Sequence, residues 1–340
     1  MSLRGVLKIF MAGIAAALTA QPTLAQEKLV LRVADPFPPG HYLHRHGLKP
    51  WMDAVTQATQ GQVQFEHYPA EQLGKAKDLL SLAQAGVADI VFTGAAYHSD
   101  KMPLTAALET PGLFSDSCQG ARTYQKLAEG ILGEKEYAVN GIRVLVPAIL
   151  PTYHVVSANR KIQSLKDVEG MKLRTLAGAQ ELTMRKFKAV PVRMPSSELF
   201  EAMSRGTVDG AIFSYEGVVS NKLPVKYATS EAGFGMAAAM IFIAENRWNK
   251  LPEGVKKTML EAGKAATQTL CSGMMREETV SLEKLRQAGV TVVRWSAEDK
   301  KEMEGIMASV AAEWAAQMDK RGKPGSEVLK AALEARDGSR

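Results

Sequence analysis

The strongest constraint on the fold lies between residues 29 and 92, where short β-rich runs alternate with stretches of helical period. Leu29 to Ala34 is β-rich and runs into Asp35-Pro36-Phe37-Pro38-Pro39-Gly40, which reads as a strand ending in a rigid loop. His46 to Thr59 places Leu48, Trp51, Met52 and Val55 at helical spacing. Gln62 to Tyr68 alternates apolar and polar residues as a strand does. Asp78 to Ala85 is helical and stops at Gly86, and Asp89 to Phe92 is a buried-type strand. A β-α-β-α-β order demands an α/β domain with a mostly parallel sheet.

A second unit of the same kind follows. Arg143 to Pro147 is a strand, and Pro147 and Pro151 bracket an expected crossing point between domains. Val155-Val156, Lys172 to Thr175, Val192 to Met194 and Ala211 to Phe213 read as strands, with helices at Glu181 to Lys188 and Ser197 to Ser204 between the last three. Ala237 to Ala244 is a buried-type strand, and Pro252 to about Gln287 is one long helix stopped by Gly289. Val290 to Trp295 is a strand, and Ser296 caps a last long helix with Asp299 as its return partner. Two α/β units joined by chain crossings imply a cleft, a favoured place for a ligand.

The N-terminus sets the compartment. Residues 1–25 carry Arg4 and Lys8, then an almost unbroken apolar run from Ile9 to Ala20, then the small-residue site Thr23-Leu24-Ala25. This is the layout of a secretory signal peptide, and the run is too short for a membrane span, which needs ~20 residues. Export to the periplasm is expected. The 42 basic and 36 acidic residues leave a net charge of only +6, with 6% aromatics, so nucleic-acid binding is excluded as a leading reading. Two cysteines, Cys118 and Cys271, with no CxxC exclude zinc ribbons and disulfide-dense scaffolds, and their redox state stays open.

Few motifs carry chemistry. Gly233-Phe-Gly235-Met-Ala-Ala238 matches G-x-G-x-x-A, but Lys226 to Glu231 ahead of it reads as polar rather than as a strand, and a strand rather than a helix follows, so no dinucleotide site and no cofactor are expected. His41, His44 and His46 form H-x-x-H-x-H with Asp35 as the only acid nearby. The favoured reading is a helix start with solvent-facing histidines and no metal, with His41 able to reach the cleft from a loop at a strand's carboxyl end. Arg174 is the most informative single residue. It lies in Gly170-Met-Lys-Leu-Arg174-Thr, a short strand, and a guanidinium at a strand end holds either a ligand carboxylate or an interdomain salt bridge.

Several segments together carry a family resemblance. Tyr68-Pro-Ala-Glu-Gln-Leu-Gly74-Lys resembles "YPAGQLG", and Ala85-Gly-Val-Ala-Asp89-Ile resembles "GvaDi". Ser164-Leu-Lys-Asp-Val-Glu-Gly170-Met-Lys-Leu-Arg174 resembles "slaDlkGlKiR". The run from Met194 to Gly210 resembles "mp.sElyeAlqrGtvDG", and Trp248-Asn-Lys-Leu-Pro252 resembles "w..LP". In order and spacing these are the motifs of the periplasmic solute-binding proteins of TRAP transporters, the DctP family. The resemblance implies a periplasmic-binding-protein fold: two α/β lobes around a hinged cleft, braced by the long late helix. Its expected division is residues 1–25 as signal peptide, 26–150 plus about 240–275 as lobe I, and 151–239 plus about 276–335 as lobe II.

The same resemblance implies a receptor rather than an enzyme. It would capture an organic acid by its carboxylate and deliver it to the small and large integral membrane subunits of a sodium-coupled transporter. Another bilobal receptor, of an ABC or tripartite tricarboxylate transporter, is the alternative, and a secreted enzyme a more distant one. The arginine of "KiR", here Arg174, is implied as the carboxylate anchor. Positions that are polar in sialic-acid receptors fall on Phe213, His154 and Gly94, the last just after Thr93. With aromatic residues expected in loops at Phe37, Tyr97 and Tyr215, the pattern favours a monocarboxylate with an apolar or aromatic body.

Overall fold

The computed structural model describes residues 28–338, so the expected signal peptide lies outside the described residues. The first lobe is built on a five-stranded sheet of β1 (Leu29–Ala34), β2 (Val63–Tyr68), β3 (Ile90–Gly94), β4 (Ile142–Ile149) and β10 (Ala238–Ala244), in the order β2-β1-β3-β10-β4. Strands β2, β1 and β3 run parallel, while β10 is antiparallel to both its neighbours. All seven residues of β10 are buried, which accounts for its unbroken apolar sequence at the centre of a sheet covered on both faces. Pro147 sits in β4 at the sheet edge, where a missing N–H costs no ladder bond.

The second lobe holds six strands: β5 (His154–Ser157), β6 (Lys172–Thr175), β7 (Val190–Arg193), β8 (Gly210–Phe213), β9 (Tyr227–Ser230) and β11 (Thr291–Arg294), in the order β11-β9-β5-β8-β6-β7. Strand β9 corrects the sequence reading of Lys226 to Glu231 as non-strand. Its Ala228 and Thr229 are buried between β5 and β11, a pairing invisible to local polarity. The loop after it still leads into a strand, β10.

The helices are α1 (Lys49–Ala58), α2 (Leu79–Gln84), α3 (Ser117–Glu129), α4 (Ala179–Lys186), α5 (Leu199–Ser204), α6 (Tyr215–Ser220), α7 (Glu245–Trp248), α8 (Glu253–Gln287), α9 (Ala297–Met307), α10 (Val310–Lys320) and α11 (Gly325–Asp337). Helix α8 has 35 residues, about 52 Å at 1.5 Å per residue. It packs on α1, α3 and β4 of the first lobe and on α6 of the second. Gly263 allows this approach, since a Cβ there would lie 2.2 Å from the Leu145 carbonyl oxygen of β4. Cys118 of α3 and Cys271 of α8 form a disulfide, with Cα atoms 5.0 Å apart, that ties the brace to the first lobe.

Two expectations fail near the C-terminus. The stretch after Ser296 is three helices, not one. Ser296 caps only α9, and the chain breaks before Val310 and again at Pro324. Nor do all of residues 276–335 belong to the second lobe. The stripe Val310, Trp314 and Met318, with Val328 and Ala332, is buried in the first lobe's core beside Leu104 and Tyr124. A helix with an apolar face follows the core that buries it, whatever the chain order.

Candidate functional site

Arg174 sits in β6, one residue from the strand's carboxyl end, and is fully buried. Strand alternation turns it away from the Leu173 core face. Its Nε donates to the Met194 carbonyl oxygen at 3.0 Å, which fixes the plane of the guanidinium. Nη1 and Nη2 are shielded from solvent and have no hydrogen-bond partner among the described residues. The Phe213 ring centroid lies 5.1 Å from the guanidinium carbon, and Tyr153 packs on Phe213 at 5.5 Å. The Tyr153 phenol stands beside the guanidinium, whose charge offsets part of the rise that burial gives the phenol. A buried cation whose Nη1 and Nη2 form an unpaired fork under an aromatic cover has the chemistry to accept a carboxylate.

Glu109 is a candidate site residue that sequence reasoning missed. It ends a 3-10 turn at Leu104–Glu109 and is fully buried. Its Oε1 accepts the Ala238 N–H at 2.9 Å, while Oε2 has no partner among the described residues. Burial pushes its carboxyl up to about 8, and the Ala238 N–H and the Arg174 charge offset only part of that. At neutral pH Glu109 is therefore a carboxylic acid, with Oε2 left to carry the proton. Nothing in Leu104 to Glu109 signals this, because the effect comes from burial against β10 and Arg174.

The first lobe's candidates lie around strand β3. Gly94 ends β3, and a Cβ there would press on the Tyr97 ring at 3.3 Å, so the bare backbone lets Tyr97 lie across it. Tyr97 faces a cleft of about 470 Å³ shared with Thr175 and Met194 of the second lobe. Thr93 is buried, its Oγ1 3.3 Å from His98 Nε2. Phe37 lies edge-on to Phe92 and stacks on His41 at 4.9 Å.

The remaining candidates fall elsewhere. His154 stacks flat on Tyr215 at 4.3 Å, with its Nδ1 3.2 Å from the Ala232 carbonyl oxygen. Burial pulls its pKa down to about 4, so it is neutral and offers no cation for a second carboxylate. The Tyr215 hydroxyl donates to the Thr229 carbonyl oxygen, and Tyr215 begins α6 rather than lying in a loop. This pair builds the second lobe's core. The expectation of solvent-facing histidines at the start of the first helix is also corrected: His41 and His44 are buried, and only His46 is partly exposed. Burial, aided by the charge of His44, drives the His41 pKa down to about 3.

The model of the bacterial extracellular solute-binding protein family 7, DctP, matches residues 35–317. The chain belongs to this family. Among curated relatives, the sialic acid-binding periplasmic protein SiaP of Vibrio cholerae is 26% identical over 254 residues, covering 70% of this chain and 75% of its own. Among solved structures, a TRAP solute-binding protein of Rhodoferax ferrireducens with copurified benzoate aligns with a TM-score of 0.85 at 23% identity, over 92% of this chain and 98% of its own. The sugar acid-binding protein of Advenella mimigardefordensis with galactonate aligns at 0.82 and 17%, over 92% and 99%. The family is one of binding receptors, and the two-lobed fold is shared with both structures. Fold similarity does not separate an aromatic from a sugar-acid ligand, so that choice rests on side chains.

Proposed function

We propose that this family member is a periplasmic receptor for a small monocarboxylate with an aromatic or branched apolar body, and that it hands this acid to the membrane subunits of a sodium-coupled TRAP transporter. One observation carries the reading: Arg174 is buried with both terminal nitrogens unpaired and Phe213 laid over its face. A buried guanidinium without a counter-ion is costly, and a ligand carboxylate satisfies it with two parallel hydrogen bonds.

The surroundings favour one carboxylate over two. His154 is neutral and Glu109 is an acid, so neither offers a second anionic group a cation, and the cations of the neighbouring cleft, Lys77 and Arg193, are matched there by Asp100 and Glu198. A second carboxylate without a partner would pay its full desolvation penalty. Phe213, Tyr153 and Tyr97 provide flat apolar surface, while Glu109 Oε2 offers a single donor to a keto or hydroxyl oxygen. A calorimetric and thermal-shift screen tests the proposal, setting benzoate, mandelate and branched 2-oxo acids against succinate and sialic acid. The apolar monocarboxylates should raise the melting temperature. Binding of only succinate or sialic acid would refute it. Sodium-dependent uptake in vesicles holding the membrane subunits, with and without the receptor, tests the transport step.

A further inference from the structure

The three histidines of the H-x-x-H-x-H run part company in the structure. His46 Nε2 lies 3.2 Å from Glu277 Oε1 on α8. His41 Nδ1 accepts the Leu43 N–H at 3.3 Å, which commits it to its own loop. Of the three, His44 turns toward the end of β1, from a π-helical turn at His44–Leu48 just ahead of α1. Its Nε2 lies 2.9 Å from Asp35 Oδ1, and His67 Nε2, from edge strand β2, lies 2.5 Å from Asp35 Oδ2. The partner missing from the sequence motif thus arrives from a neighbouring strand.

We propose that Asp35, His44 and His67 form a binding site for a borderline divalent transition-metal ion of the zinc class, separate from the organic-acid site at Arg174. One ligand atom from each residue lies within 4.8 Å of the other two. Two imidazoles and one carboxylate are the donor set that suits Zn²⁺ or Co²⁺ rather than Ca²⁺ or Mg²⁺. Asp35 has no exposed surface, and both its oxygens are directed at imidazole nitrogens. Oδ1 also accepts the Phe37 N–H at 2.8 Å, an outer contact that holds the carboxylate in place. A divalent ion would supply net positive charge to a carboxylate that has no exposed surface. The His67 side chain is 25% exposed, which leaves an entry path and room for water in a fourth position.

Zinc at about 2.0–2.2 Å from each ligand needs ligand atoms about 3.3 Å apart, so the two carboxylate contacts must open by less than about 1 Å and the remaining pair, within 4.8 Å, must close by up to about 1.5 Å. The partly exposed His67 has that freedom. Each histidine would bind the ion through the Nε2 lone pair as a neutral imidazole, its single proton moving to Nδ1, and only a doubly protonated ring would release a proton to solvent. It would staple the end of β1 and the start of the first helical turn to edge strand β2. The loop between, residues 36–43, carries Phe37 and His41, buried in the first lobe, so the metal would brace that loop.

The test uses the full exported chain without a histidine tag, stripped with chelator and titrated calorimetrically with ZnCl₂ alone. One equivalent should bind, and His44→Gln and His67→Gln should each weaken it at least tenfold, since outer-contact losses alone cost 10–100-fold. His46→Gln is the control and should leave it unchanged. Co²⁺ should give visible absorption of low-coordinate cobalt, lost in His67→Gln. Organic-acid affinity of each variant, measured in chelator, reports whether the fold survives. No zinc binding by the wild-type chain, or one equivalent kept at full affinity by both His44→Gln and His67→Gln, would overturn the proposal. Either result leaves the Arg174 reading untouched.

Discussion

Tyr97 and Ser196 join the two lobes across the mouth of the cleft: the Tyr97 hydroxyl donates to Ser196 Oγ at 3.1 Å and accepts the Ser196 N–H at 3.2 Å. Two further contacts flank it, Ser197 Oγ to Glu71 Oε1 at 2.9 Å and Arg193 Nη2 to Ser99 Oγ at 2.7 Å. The lobes are therefore closed, by polar contacts that exchange readily with water. Closure of this kind is cheap to reverse, as a receptor that must release its ligand requires.

Tyr97→Phe removes both hydrogen bonds and keeps the ring. Each such bond contributes about 0.5–1.5 kcal/mol, so ligand affinity should fall by roughly 2- to 30-fold without loss of stability. Calorimetry measures the affinity, and small-angle scattering should show a larger radius of gyration for the ligand-free variant than for the ligand-free wild type. Unchanged affinity would mean that the latch plays no part in closure.

Arg174→Ala should reduce affinity for the organic acid by about 2–5 kcal/mol, the cost of removing one member of a desolvated charged pair. Arg174→Lys should recover little, because a point charge lacks both the Nε–H donated to Met194 and the flat fork beneath Phe213. The melting temperature without ligand should hold or rise in Arg174→Ala, which removes an unpaired buried charge, but not in Arg174→Lys, which keeps one. A variant that binds normally would end the carboxylate assignment.

Why Arg174 could be singled out from sequence and Glu109 could not is a matter of range. A strand-end arginine among apolar neighbours announces itself locally, and so do the α/β alternation and the long helix stopped by Gly289. Glu109, Tyr153 and His67 acquire their roles only when distant strands meet, and a local pattern holds no trace of that. His154 shows the converse. Placed by spacing in the ligand pocket, it is committed to Tyr215 and the Ala232 carbonyl by the pairing of β5 with β8 and the return of the chain after β9. The Cys118–Cys271 bond is equally non-local, with 153 residues between its ends.

That bond makes its own prediction. Closing so long a loop restricts the unfolded chain, and Cys271→Ser should destabilise the protein by about 2–4 kcal/mol. Both cysteines lie on first-lobe elements or on the brace, away from Arg174, so organic-acid affinity should change little. Thermal unfolding with and without reductant, alongside calorimetry, separates the two effects. A wild-type melting temperature indifferent to strong reductant would show that the bond contributes no stability.

Glu109 should make organic-acid binding fall off at alkaline pH. Its carboxyl is raised to about 8 by burial, so it is protonated at neutral pH and ionises as pH passes that value. Arg174, Tyr153 and Tyr124 are the charged or titratable groups around it. Both phenols are raised above their usual value by burial, which leaves Glu109 as the group that changes charge first. Above pH 8 its anion would compete with the ligand carboxylate for Arg174, and affinity should drop. The stability sign agrees. A carboxyl raised in the folded state binds its proton more tightly there than when unfolded, so its contribution is complete below about pH 4.5, the ordinary value, and is lost as pH rises through about 8. Glu109→Gln keeps an acceptor for the Ala238 N–H and a donor in place of Oε2, but cannot ionise. It should bind as the wild type does at pH 6.5 and hold that affinity at pH 9, where the wild type weakens. Parallel loss of affinity in both proteins between those values would assign the effect to another group.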